Sequence, residues 1–303
     1  MPNKLLLAAA ESRRLERFAT HNKMSKAIVD RYVAGKTLED ASRVARQLKR
    51  RNIHTCLNPL GESVDDREDC DRATQDYIDG VKMLTEHIPD GSVSVKPSQL
   101  GMLVEPEVCA ANVRKILSVA KENDIAVEID MEHSSIHDQT VEMVRELLSE
   151  YPHTRLAIQS YSRAAPDVLQ SFKQQGLRIR LVKGAFQENA ETAIQNARDV
   201  TSQYNHQARW ALQHLPEPAF GTHDHRCIEF IKTEAAEQGL GKDEFEFQML
   251  YGIRPKLQES LVKDGYRVRI YLPYGEEWYP YLMRRMAERP ANLFLFLRSL
   301  IGT

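Results

Sequence analysis

Short β-rich segments recur along the chain, each ending in polar or glycine residues, and longer amphipathic stretches lie between them. Ile53–Asn58, Ser92–Lys96, Ala126–Asp130, Arg155–Gln159, Arg178–Val182, Ala219–Thr222, Glu244–Met249 and Arg267–Leu272 are the predicted strands. Arg67–His87, Pro106–Asn123, Gln139–Glu150 and Pro166–Gln175 are long enough for helices of three or more turns. Strands alternating with helices over roughly 250 residues predict an α/β fold, a (β/α)8 TIM-like barrel. A doubly wound open sheet is the alternative, because periodicity does not say whether a sheet closes. Residues 1–51 differ: they read as helical, with polar breaks at Thr20–Asn22 and Gly35–Thr37. They form a helical N-terminal extension, leaving 52–303 for the barrel.

Barrels of this kind carry their active sites at the carboxyl ends of the strands. The polar residues there are Glu62, Lys96, Asp130, Gln159, Arg180 with Lys183, Thr222 with His223, and Tyr271. They either share one mouth or are polar because strand ends meet solvent.

Composition narrows the class. The chain has 303 residues, 42% hydrophobic and 28% charged, enough to bury a sizeable core. Forty-one basic and 43 acidic residues leave a net charge of −2, so no basic field points to nucleic acid. The longest apolar runs, Leu5–Ala10 and Leu293–Leu297, fall far short of the roughly 20 residues that span a bilayer. Leu5–Ala10 runs straight into Glu11, Arg13 and Arg14 and makes a poor secretory signal. Cys56, Cys70, Cys109 and Cys227 are scattered and show no CxxC pair. A cytoplasmic protein with reduced thiols is expected.

Three segments carry candidate chemistry. In YLPYGEEWYPYLMRRMAERPAN, residues Tyr281, Arg284, Arg285, Glu288 and Asn292 share one helical face. Paired guanidinium groups suit a carboxylate or phosphate, and a solvated, salt-bridged face explains the same stripe. In RIRLVKGAFQE, a basic strand ends in Lys183-Gly184-Ala185, where small residues let a flat or phosphorylated ligand approach, and Arg180 can project inward. A buried arginine there needs an anionic partner. Asp130 ends AVEID and Lys96 ends SVSVK; they either pair as ions, or Lys96 is a Schiff-base lysine. His223 with His225, and His133 with His137, have metal-ligand spacing, but no third ligand converges and no metal is expected. On these residues alone, a metal-dependent barrel hydrolase, a lysine-dependent aldolase and a non-catalytic binding scaffold all stay open.

The whole pattern resembles the proline dehydrogenases, flavoenzymes with a distorted (β/α)8 barrel. The resemblance runs from about residue 53 to the end and rests on SVKPSQLG, VEIDME, RIRLVKGA, GTHD, FEFQMLYG and the YxxRRxxE helix, in that order. Size and composition match the single-function bacterial enzymes. The resemblance implies noncovalently bound FAD and oxidation of L-proline to 1-pyrroline-5-carboxylate, the first step of proline degradation to glutamate. Hydride would pass to flavin N5 and electrons to a membrane quinone. A separate pyrroline-5-carboxylate dehydrogenase would act downstream. Peripheral membrane contact through Leu293–Ile301 is one expectation for that apolar stretch, and buried packing is the other.

It also implies roles. Arg284 and Arg285 would clamp the substrate carboxylate, Lys96 would line the proline site, and Tyr271, Tyr281 and Leu250 would enclose the ring. Asp130 and Arg180 match catalytic positions. Met131, Gln159, Arg180, Val182, Lys183, Gly184, Ala185, Thr222, His223 and Glu288 match cofactor-contacting positions. Glu62 in NPLGES would pair with the first arginine and close the site. One departure stands out: Phe186-Gln187 follows KGA where relatives often carry tyrosine and then a large residue.

Overall fold

The structure, a computed structural model, describes residues 29–61 and 64–287, the side chains of 284–287 excepted. Strands β1 (His54–Pro59), β2 (Ser92–Val95), β3 (Ala126–Ile129), β4 (Arg155–Gln159), β5 (Arg178–Val182), β6 (Ala219–Gly221), β7 (Glu246–Leu250) and β8 (Arg267–Tyr274) pair in sequence order, all parallel. β8 returns to β1, with Cys56 opposite Tyr271 and Leu57 opposite Leu272. The sheet therefore closes, which confirms the barrel and excludes the open sheet.

The principal helices are α1 (Leu38–Lys49), α2 (Arg67–His87), α3 (Pro106–Glu122), α4 (His137–Leu148), α5 (Ala165–Ser171), α6 (Ala197–His214), α7 (His225–Glu237), α8 (Pro255–Lys263) and α9 (Trp278–Ala287). Local chemistry starts them where they start. Thr37 and Asp40 close a capping box on α1, Asp66 caps α2, Asn196 caps α6 and Asp224 caps α7, while Pro106 and Pro255 open α3 and α8. α1 buries Ala41, Ala45 and Leu48 and packs against β1 and β8, the seam where the barrel closes.

Some boundaries differ from the sequence reading. The seventh strand begins at Glu246 rather than Glu244, because the Glu244 carboxylate accepts the Gly241 N–H and makes a turn. Pro166–Gln175 is split: α5 ends at Ser171, and a short 3-10 turn, Lys173–Gln175, stops at Gly176 in the left-handed conformation.

Alternation along the strands divides the molecule into two environments. Outward positions such as Leu57, Val93, Ile129, Leu181, Phe247 and Ile270 are apolar and fully buried. Leu57 and Val93 lie against Gly80 of α2, where that helix packs on the sheet. Inward positions are small or polar, among them Ser92 and Ser94 on β2, Glu128 on β3, Arg155 on β4, Arg180 on β5, Glu246 and Gln248 on β7, and Arg269 on β8. Helices cover the apolar face, and the barrel interior is an ionic network.

Candidate active site at the carboxyl ends of the strands

The network ends, at the mouth of the barrel, in Asp130 and Arg180. Asp130 follows β3, and its backbone N–H still pairs with the Val95 carbonyl at 2.9 Å, so the carboxylate stands over the barrel axis side of the sheet. It accepts from the Ser94 hydroxyl at 2.7 Å, from the Tyr271 hydroxyl at 2.7 Å and from the Arg180 guanidinium. Arg180 also donates to Glu128 at 3.1 Å, and its guanidinium carbon lies 5.3 Å from the Tyr271 ring centre. Four strands thus fix one ion pair. Arg180 is only 5% exposed, and its anionic partners are the ones a buried guanidinium requires.

The electrostatics follow from this packing. Burial opposes ionisation of Asp130, but Arg180, Lys96 and the two hydroxyls outweigh it and hold the carboxyl below the ordinary aspartate range. Burial likewise opposes the charge on Arg180, and Asp130 with Glu128 overcomes it. Burial and the neighbouring Asp130 carboxylate push the Tyr271 phenol well above its usual value, so it remains a hydrogen-bond donor.

The other expected residues ring the same mouth. Lys96 donates to the Asn58 side chain and, at 3.4 Å, to the Pro59 carbonyl. The cation directly bonded to Asp130 is therefore Arg180, on the inward face of β5, and the pairing expected for Lys96 corresponds to a longer-range attraction. The Gln159 amide nitrogen donates to the Met131 and Glu132 carbonyls at 3.1 and 2.8 Å, so its amide oxygen is the end offered to a ligand. Lys183 bonds Asp224 at 2.9 Å and the Thr201 hydroxyl at 3.0 Å. Val182 and Gly184 are half-buried and Ala185 is exposed. Gly184 has φ of +103°, and a Cβ there would fall 2.3 Å from the Tyr161 ring, so only glycine fits. Phe186 packs on His133, ring centres 4.3 Å apart, and Glu188 next to it accepts from Ser134.

Thr222 is buried, and its hydroxyl accepts the Asp224 N–H. His223 accepts the Leu250 N–H at Nε2, 2.9 Å, which assigns the proton to Nδ1 in the neutral ring. His225 is directed instead to Glu229 on its own helix. Among the described residues no group of histidine, cysteine and carboxylate ligands is arranged to hold a metal ion. Tyr281 and Met131 are buried, and Leu250 is half-buried. A cavity of about 440 Å³ opens beside Met131 and Gln159. Glu62, Glu288 and the side chains of Arg284 and Arg285 lie outside the described residues.

Sequence reasoning passed over Glu128, Ser94, Arg155, Glu246 and Arg269. For four of them the signal was present: VEID, SVSVK, EFQ and RVRIY each place polar residues two apart around an apolar one, which puts them on one face of a strand, whereas RLAIQ gives no such mark for Arg155.

The sequence pattern of the family described as proline dehydrogenase matches residues 41–294. Proline dehydrogenase 1 of Bacillus subtilis subsp. natto is 35% identical over 271 residues, 89% of this chain and 90% of that protein. Proline dehydrogenase of Deinococcus radiodurans is 35% identical over 306 residues, covering 98% and 97% of the two chains. Among solved structures, proline utilization A from Bdellovibrio bacteriovorus, inactivated by N-propargylglycine, superposes with a TM-score of 0.83 at 23% identity. That likeness covers 88% of this chain and 33% of the larger protein, and it speaks for the shared fold. With the family pattern spanning the barrel and full-length relatives at this identity, the chain belongs to the proline dehydrogenase family.

Proposed function

We propose that this protein oxidises L-proline to 1-pyrroline-5-carboxylate, using bound FAD and passing the electrons to a quinone. The observation that carries the reading is the buried Asp130–Arg180 pair, held by Tyr271 at the mouth of a barrel of this family.

The residues present suit a flavin. Gln159 offers an acceptor, His223 an Nδ1–H, and Lys183 and Arg180 positive charge at the ends of neighbouring strands. The Lys183-Gly184-Ala185 turn presents backbone with little side-chain bulk, and Met131, Val182, Thr222 and Glu288 complete the proposed contacts. Bound FAD supplies the acceptor for the hydride that leaves the ring carbon beside the proline nitrogen. Arg180 stabilises negative charge that develops near it on reduction, because the barrel interior holds its guanidinium in one orientation.

Substrate binding falls to the opposite set. Arg284 and Arg285 clamp the carboxylate, Lys96 adds a third positive charge, and Tyr271, Tyr281 and Leu250 enclose the ring. These cations disfavour a protonated amine, so proline reacts with its nitrogen lone pair available. That lone pair forms the C=N bond as hydride departs, and the remaining N–H proton is released. Asp130 acts through Arg180 and Tyr271, orienting both. Glu62 closes the site by pairing with the first arginine, Arg284.

Purified protein given L-proline and a soluble quinone is expected to form 1-pyrroline-5-carboxylate, detected by mass spectrometry. Absence of the dehydrogenated product from flavin-loaded protein contradicts the reading. Among the described residues no helix is long and apolar enough to cross a membrane. The proposed contact with a membrane quinone pool runs through Leu293–Ile301, outside the described residues. Sedimentation with quinone-loaded vesicles tests it, and protein left in the supernatant with unchanged activity rejects it.

A further inference from the structure

Glu128 is fully buried, two residues before Asp130 on the same face of β3. Five hydrogen bonds converge on its two oxygens. Oε1 accepts from Ser92 at 2.9 Å, Arg155 at 3.4 Å and Gln248 at 3.0 Å; Oε2 accepts from Arg180 at 3.1 Å and Gln248 at 3.0 Å. A site made of donors calls for an acceptor on both oxygens, which is a carboxylate.

The surrounding charges balance around it. Arg269 donates to Glu246 at 3.0 Å, and Arg155 donates to Glu246 at 2.9 Å while also reaching Glu128. Arg180 joins Glu128 to Asp130. Three guanidinium groups and three carboxylates therefore form a neutral chain through the barrel, ending at the proposed reaction site. Such a chain costs desolvation, and apolar residues of similar volume would fill a barrel interior more cheaply. Its retention has a local consequence: Arg180 approaches the mouth with one carboxylate behind it and one beside it.

We infer that Glu128 is a positioning residue for the proposed proline-oxidising site, setting both the orientation of Arg180 and the net charge that Arg180 presents to the bound flavin. The inference rests on the reading of the mouth as that site. Glu128 touches neither substrate nor cofactor in this account; it acts through Arg180. Removing its charge leaves three guanidinium groups against two carboxylates. The excess positive charge favours the reduced, more negative flavin.

The test is the midpoint potential of the flavin in the loaded protein, measured by dye-mediated spectroelectrochemistry. Glu128→Gln keeps the shape and removes the charge. It is expected to give at least tenfold more reduced flavin at a fixed potential, about 30 mV for a two-electron couple. Glu128→Gln/Arg155→Met is neutral again and should return to within about threefold of the parent ratio on the same scale. Arg155→Met alone leaves excess negative charge and should shift the ratio the other way, which keeps the inference testable if Glu128→Gln does not fold. A potential unchanged in both single variants, with only the melting temperature lowered, overturns it. Crystal structures of the parent and Glu128→Ala give a second readout that needs no turnover: the Arg180 guanidinium should leave its position against Asp130, and an unmoved guanidinium contradicts the inference. If proline fails to bleach the parent flavin, the functional reading fails, while these two readouts still decide the role of Glu128.

Discussion

Arg178 and Arg180 stand two residues apart on β5 and face the same barrel interior, yet they occupy different chemical worlds. Arg178, near the amino end of the strand, pairs with Glu217 at 2.9 Å, the two side chains 27% and 40% exposed. Arg267 draws on the same carboxylate at 3.6 Å. Arg180, near the carboxyl end, has a side chain 6% exposed and is held by Glu128, Asp130 and the face of Tyr271. A half-exposed pair contributes about 0–1 kcal/mol, because water screens it and ordering the side chains costs entropy. Breaking a buried pair costs about 3–5 kcal/mol, because the partner is left charged in a poorly solvating interior. Position along one strand therefore separates a solvated ion pair from a preorganised one, and only the second is fit to stabilise charge in a reaction.

The comparison is broken most forcefully by exchanging the arginines one at a time. Arg180→Met should slow proline-dependent flavin reduction by about 10²- to 10³-fold, the usual loss for a preorganised charge-stabilising donor. It should also lower the flavin-to-protein ratio, read from the absorption spectrum, and destabilise the fold by about 3–5 kcal/mol in urea melts. Arg284→Met or Arg285→Met tests the proposed clamp instead. Loss of a charge-assisted contact worth about 1.5–3 kcal/mol should raise KM for proline roughly 10- to 150-fold. Flavin content should hold, which separates substrate binding from cofactor binding.

Acid provides a milder test of the same interior. The Asp130 and Glu246 carboxyls titrate below their ordinary values, in both cases because guanidinium attraction and hydrogen bonds overcome burial. Their contribution to stability is then fully present above the ordinary carboxylate range and is lost as pH falls through the depressed folded values. Melting temperature should fall steeply on the acid side, and Asp130→Asn should flatten that limb while lowering the neutral plateau. The smallest effects belong to the half-exposed Arg178–Glu217 pair and to the proposed closing contact of Glu62. Arg178→Met and Glu62→Ala should each change stability or apparent affinity by about 1 kcal/mol or less in the same melts and kinetics. A large loss of activity in Arg178→Met would erase the distinction between the two ends of β5.

Much of this was legible from the chain because barrel topology and strand-end chemistry leave strong local marks. The β-rich segments placed all eight strands, and the polar residues at their ends placed Asp130, Arg180, Lys96 and Tyr271 around one mouth. What escaped was pairing across strands. Asp130 and Lys96 look like natural partners on neighbouring strand ends, but strand alternation brings Arg180 from β5 to the carboxylate. Such a contact depends on the closure of the sheet, which no local pattern encodes. Glu128 escaped for a related reason. A glutamate in a predicted core strand is ordinarily a solvent-facing residue, and its meaning emerges only when β2, β4, β5 and β7 deliver Ser92, Arg155, Arg180 and Gln248 to it.

The central claim, that the buried mouth is a flavin-dependent proline-oxidising site, is tested most directly by an anaerobic visible titration. Purified protein should be yellow, and stepwise L-proline should bleach the flavin bands, with bleaching strongly slowed in Arg180→Met and preserved in Arg178→Met. A protein that binds FAD but keeps its flavin bands at saturating proline, or one in which the two arginine variants bleach alike, would contradict the account.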